Sequence, residues 1–155
     1  MGESPEEYLE RLCKDLYESS DPQSRSVAEK TLLEFSESPD CLQKCLILLE
    51  RGKSSYAQLV AGTTLMKAIS HTTSAVSLSD RIELKNYLLN YMVSRPKTPN
   101  FVFSSLCQLF ARLTKLGWFE FSKDDEYMFR NSIDEIFKFT QVFAVPAFYI
   151  LIGLY

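Results

Sequence analysis

The chain has 155 residues, 46% of them hydrophobic and 24% charged, with a formal charge of -3 at pH 7. So apolar a composition excludes a disordered chain, and a net negative charge excludes the broad attraction to phosphate backbones that a clustered Lys/Arg surface provides. Nucleic acid is therefore not expected as a direct partner. The five glycines and six prolines fall mostly between apolar stretches rather than inside them, as helices joined by short turns require.

The first predicted helix runs from about Pro5 to Glu18, with Leu9, Leu12, Cys13 and Leu16 on one face. Glu3, Glu6, Glu7 and Glu10 cluster at its amino end, where the helix dipole favours negative charge. Ser20-Asp21-Pro22 then reads as a cap followed by proline at the first helical position, opening a second helix that reaches about Phe35. Ser38-Pro39 starts a third, ended by Gly52, and Ser54 starts a fourth that reaches about His71. Ser77 or Ser79 opens a fifth, carrying Leu84, Tyr87, Leu88, Tyr91 and Met92. Thr98-Pro99 caps a sixth that ends near Leu116, with Val102, Leu106, Leu109, Leu113 and Leu116 on one face and Phe103, Cys107 and Phe110 on a second. Two apolar faces suit a helix sandwiched between its partner and an adjacent repeat. Trp118 and Phe119 follow a glycine and are expected in the core. A further helix near Asp124 carries Phe129, Ile133, Ile136 and Phe137.

Taken in pairs, these helices recur at roughly 35 to 45 residues, the range of HEAT-type hairpins that stack on their neighbours to bury their apolar faces. Periodicity alone fits an ordinary helical bundle equally well.

Neither a metal nor a catalytic constellation is expected. Cys13, Cys41, Cys45 and Cys107 form no Cys-x-x-Cys pair, and none lies near the only histidine, His71, which is expected to cap or pack at a helix end. Cys41 and Cys45, four residues apart, share a helix face and read as reduced core residues. With no base placed beside a nucleophile, no glycine-rich phosphate loop and no metal spacing, the chain reads as a binding protein rather than an enzyme, without a cofactor. Its first residues are acidic and polar, not basic and then apolar, so a cytosolic or nuclear protein without a leader is expected. The Met1-Gly2 start is not a myristoylation signal, because Glu6 stands where serine or threonine is required.

Three stretches carry a resemblance. Ala28 to Phe35 (AEKTLLEF), Ser38 to Leu42 (SPDCL) and Ser55 to Ala61 (SYAQLVA) are similar to the amino-terminal domain of the importin-β superfamily, which places an Ala-Glu pair in one helix and an Ala-rich helix about thirty residues on. LLERGKSSYAQLVAGTTL from Leu48, RIELKNYLLNYMVSRPK from Arg81 and ARLTKLGWFEFSKDDEYMFRN from Ala111 resemble the exportin-seven and Ran-binding-protein branch. The similarity extends from about Leu9 to Phe139. It selects an all-α solenoid of about three and a half HEAT-type repeats, occupying residues 1–140. The Leu-Lys-Asn motif of the wider superfamily reads Leu65-Met66-Lys67 here, which turns the lysine about 100° around its helix.

What the resemblance implies is the amino-terminal part of a nuclear export receptor. Such a receptor binds Ran in its GTP form on the inner helices of its first repeats, carries cargo proteins, meets phenylalanine-glycine repeats of the nuclear pore through grooves between outer helices, and shuttles between cytoplasm and nucleus. Here the second helix of each pair would be the inner one. Gln23, Ser26, Lys30 and Glu34 form one polar stripe at helical spacing, and Asn100, Ser104, Gln108, Arg112 and Lys115 form another. Gln58, Thr63 and Lys67 are the candidates on the helix between them. A solvated face and a generic helical-repeat adaptor, indifferent to Ran, are the alternative readings.

From Val142 to Tyr155 the chain contains no charge, and the resemblance ends just before it. Every valine codon begins with GT, the usual start of an intron, so residues 141–155 are expected to be a non-family tail read through from an unspliced intron. A continuous exon across codon 142 would contradict this. The tail is too short for the roughly 20 apolar residues of a membrane span and contains Pro146, so no membrane association is expected. A chain so shortened is expected to bind Ran weakly and not to transport alone.

Overall fold

The computed structural model describes residues 2–70, 76–120, 129–131 and 134–135. Among them are six helices and no strand: α1 (Pro5–Glu18), α2 (Pro22–Ser36), α3 (Cys41–Arg51), α4 (Ser55–Ser70), α5 (Leu78–Ser94) and α6 (Asn100–Leu116). Residues 1–75 and 76–155 form two compact units.

The amino-terminal unit is built from two helical hairpins, α1 with α2 and α3 with α4. Local sequence dictates where each helix begins. Ser4 and Glu7 make a reciprocal capping box at α1: the Ser4 hydroxyl accepts from the Glu7 amide at 3.1 Å, and the Glu7 carboxylate accepts from the Ser4 amide at 3.0 Å. Asp21 accepts from the amides of Gln23 and Ser24, with Pro22 at the first helical position. The hydroxyl of Ser24 adds a 2.7 Å bond and, with those two amides, holds the Asp21 carboxyl below its ordinary pKa.

The hairpins stack through α1 against α4. Leu9, Leu12 and Cys13 of α1 are buried, as are Leu48 and Leu49 of α3 and Ala57, Val60, Ala61 and Leu65 of α4. The small residues Ala57, Ala61 and Gly62 of α4 are all buried. A contact distant in sequence completes the packing, because the Glu10 carboxylate of α1 accepts the amide of Ser54 just before α4. Tyr17 of α1 stacks on Tyr56 of α4, with ring centroids 5.2 Å apart.

In the second unit α5 packs on α6. Ser77 caps α5 by accepting from the Asp80 amide. Both apolar faces of α6 are buried from Val102 to Leu113, as the two-faced pattern predicts, while Leu116 at its end is exposed. Phe129 is fully buried and lies where a methyl group on Gly117 would fall. The Lys85 side chain of α5 enters the same core, 4% exposed as a residue, with its ammonium 5.8 Å from the centre of the Phe129 ring and 3.7 Å from the Glu135 carboxylate.

Three local expectations change. α3 begins at Cys41 rather than at Ser38-Pro39, because the Ser38 hydroxyl is taken by the Phe35 carbonyl and no side chain caps the helix. Thr98 does not cap α6, since its hydroxyl donates to the Arg95 carbonyl, and Pro99 occupies the cap position. Phe119 is not in the core but 77% exposed, while Trp118 is half-buried. The Arg130 guanidinium lies over both rings and donates to the Trp118 carbonyl at 3.1 Å. His71, the helix expected near Asp124 apart from residues 129–131 and 134–135, and the tail 141–155 lie outside the described residues.

Candidate functional site

The second helix of each hairpin, α2, α4 or α6, carries the sequence-predicted binding residues. On α2 the apolar side is formed by the buried Ala28, Leu32 and Phe35. At about 100° per residue, Gln23, Ser26, Lys30 and Glu34 cluster on the opposite side, and all four are exposed. α6 repeats the arrangement. Asn100, Gln108, Arg112 and Lys115 are exposed and Ser104 is half-buried, opposite a face on which Val102, Leu106, Phe110 and Leu113 are sealed from water.

On α4 the set divides. Thr63 and Lys67 sit one turn apart on the narrow exposed strip, and the Thr63 hydroxyl donates to the Val60 carbonyl within its own helix. Gln58, five residues before Thr63, lies about 140° away around the helix and is half-buried, so it does not belong to that strip.

Lys30, Lys67, Arg112 and Lys115 form no ion pair among the described residues, whereas Arg11, Lys14 and Lys44 of the α1–α4 unit are all paired with carboxylates. Among the described residues no carboxylate competes for these cations, which leaves their charge available to a partner.

Sequence reasoning missed a groove between α2 and α4. It has a volume of about 220 Å³ and is lined by Leu16 and Tyr17 of α1, by Glu29, Leu32, Leu33 and Ser36 of α2, and by Val60, Thr63, Thr64 and Lys67 of α4. Thr63 and Lys67 are therefore placed beside apolar surface, with Leu33 53% exposed. A groove of this kind takes an apolar side chain, and the flanking Lys67 ammonium and Glu29 carboxylate suit polar groups on either side of it. The α2 stripe points away from this groove, so the two predicted sets in the unit do not converge on one point. The signal that could have found the groove is the pair of apolar positions Leu32-Leu33, which cannot both face the core of one helix.

Among the described residues there is no group of three or more His, Cys, Asp or Glu side chains able to hold a metal, and no helix long and apolar enough to cross a membrane.

Residues 28–94, from the middle of α2 to the end of α5, match the family model described as the importin-beta N-terminal domain. Over 133 residues, or 86% of its length, the chain is 53% identical to exportin-7-B of Xenopus laevis. Over the same length it is 49% identical to Ran-binding protein 17 of Mus musculus and 47% identical to Ran-binding protein 16 of Drosophila melanogaster. The chain spans 12% of the length of each of these relatives. The matched domain is a HEAT-type helical solenoid, and none of these matches is to an enzyme family.

Proposed function

Because this chain belongs to the importin-beta N-terminal-domain family, we propose that it is the Ran-binding amino-terminal part of a nuclear export receptor. Ran in its GTP form is taken on the exposed polar faces of α2, α4 and α6. The observation that carries this reading is that Lys30, Lys67, Arg112 and Lys115, on the second helix of each hairpin, form no ion pair among the described residues. Relatives that share about half the residues of this chain are named for Ran binding, which supports the choice of partner.

The polar faces are suited to hydrogen bonds and ion pairs with a folded, charged protein rather than to enclosing a small molecule. Lys30 and Glu34, one turn apart on α2, offer a donor and an acceptor to the same patch of a partner. Gln108 and Arg112 do so on α6. Long exposed side chains of this kind contribute little each until a partner desolvates them, so affinity has to accumulate over several helices. Residues covering 12% of a relative's length supply only part of that surface, and we expect weak binding and no transport by this chain alone. Cargo proteins and the phenylalanine-glycine repeats of the nuclear pore are partners of the full-length receptor in this reading. The receptor would shuttle between nucleus and cytoplasm.

The test is retention of Ran by the immobilised chain. Ran loaded with a non-hydrolysable GTP analogue is expected to be held in preference to Ran-GDP. Equal treatment of the two forms, with circular dichroism confirming a helical chain, would favour an adaptor indifferent to Ran. Robust cargo export by the isolated chain in permeabilised cells would contradict the expectation that it cannot transport alone.

A further inference from the structure

The amino end of α3 holds two thiols that their four-residue spacing brings together. Cys41 and Cys45 are both buried, and their sulfurs lie 3.9 Å apart, within hydrogen-bonding distance. We propose that this pair is a binding site for one trivalent arsenic centre of the monosubstituted organoarsenical class, held by both sulfurs at once.

Helix geometry selects this ligand over the more familiar disulfide. Residues four apart on a helix keep their Cβ atoms about 5–6 Å apart. A disulfide needs them at roughly 3.5–4.5 Å with the sulfurs bonded at about 2.05 Å. Oxidation can therefore close this pair only by breaking the first turn of α3. An arsenic atom inserted between the sulfurs leaves the Cβ atoms where the helix puts them. The chemistry needs no oxidant: an arsenoxide, R–As=O, loses its oxygen as water with the two thiol protons, two As–S bonds form, and arsenic stays trivalent. Because no group of three or more potential ligands is available among the described residues, a species that asks for two sulfurs fits better than a metal ion that asks for three or four.

Entry to the site is through the helix end. Asp40 occupies the cap position of α3 without making a side-chain cap bond, and its carboxylate is held by Lys44 at 2.8 Å instead. α1, α2 and α5 are each capped by a side chain, so the first turn of α3 opens at lower cost than theirs. The contact between the two sulfurs lowers the pKa of the Cys41 thiol, and the same contact together with burial raises that of Cys45, so Cys41 is the sulfur that attacks first and Cys45 closes the second bond. Burial raises the other two thiols, Cys13 and Cys107, to about 12, and Cys107 faces the thioether of Met92 rather than a thiol.

The full chain, reduced and in native buffer, is to be incubated with phenylarsine oxide and weighed intact. One adduct is expected, released by a dithiol such as dithiothreitol but not by a monothiol at equal thiol concentration. Cys41→Ser and Cys45→Ala are each expected to weaken binding at least tenfold, while Cys13→Ser and Cys107→Ser leave it unchanged, with circular dichroism reporting the fold of each variant. Should Cys45→Ala fail to fold, Cys41→Ser and peptide mapping of the wild-type adduct decide the question. An adduct that survives in Cys41→Ser, maps to Cys13 or Cys107, or forms only after unfolding in urea overturns the proposal.

Discussion

In the α1–α4 unit the core is aliphatic and thiol-rich, with Leu12, Cys13, Cys45, Leu48, Leu49 and Leu65 sealed from water, and its ion pairs all lie on the surface. In the unit that follows, Phe103, Phe110 and Phe129 are packed among five buried leucines, and the charge of Lys85 is carried into the interior. Local side-chain caps open α1, α2 and α4 in the first unit and α5 in the second, whereas α3 and α6 begin without one. The difference is one of range. Much of the first unit is specified by neighbours in sequence, while the second depends on residues such as Phe129 and Glu135 that return from well beyond α6. Similar hairpins can thus be assembled with quite different sensitivity to single changes.

The sharpest way to break this contrast is in the second unit. Phe110→Ala should destabilise it by about 3–5 kcal/mol, because a fully buried ring leaves a cavity that its neighbours cannot fill. Urea denaturation followed by far-ultraviolet circular dichroism reads the loss. A smaller effect is expected from the long-range link in the first unit. Glu10→Ala removes the charged acceptor of the Ser54 amide and should cost about 1.5–3 kcal/mol, with amide exchange accelerating at the start of α4. Gly117→Ala should cost about 1–3 kcal/mol by driving a methyl group into the Phe129 ring, and a smaller residue at 129 should relieve it.

Two milder perturbations sharpen the comparison further. Glu3, Asp21 and Asp40, all in the first unit, have carboxyls held below their ordinary pKa by Arg11, by Ser24 with two backbone amides, and by Lys44 with Ser38. A depressed carboxyl contributes stability that is complete above the unfolded value, near pH 4, and is lost as the pH falls through the lower folded value. Thermal melts should therefore fall in acid, and Asp21→Asn, which keeps a capping side chain, should flatten part of that fall. Replacing Lys85 and Glu135 together by apolar side chains of similar volume should leave stability nearly unchanged, since a buried ion pair exchanged as a whole is often neutral, whereas Lys85→Met alone strips the Glu135 carboxylate of its counter-charge and should destabilise the unit.

The sequence was legible where the determinants are local. α1 runs from Pro5 to Glu18 as its apolar stripe predicts, α2 opens at Asp21-Pro22 as expected from capping chemistry, and the two apolar faces of α6 follow from spacing alone. Failures occurred where a side chain had two possible partners. The hydroxyls of Ser38 and Thr98 bond to preceding carbonyls instead of capping the helix that follows, and nothing in a single stretch of sequence decides between those partners. Lys85 gave no warning of burial, because its partners Glu135 and Phe129 lie more than forty positions away. Of the predicted binding residues, the α2 and α6 stripes are surface faces as their periodicity required. Gln58 departs from its set because five residues carry it most of the way to the other side of α4. The groove between α2 and α4 was invisible to polar spacing because half of its lining residues are apolar.

The most direct test of the proposed function is a calorimetric titration of this chain with Ran in its two nucleotide states, repeated with Lys30→Glu and Arg112→Glu. Preferential binding of the GTP form, weakened about tenfold or more by either charge reversal while the helical signal is unchanged, is the predicted result. Binding that ignores both the nucleotide and the two substitutions would contradict it.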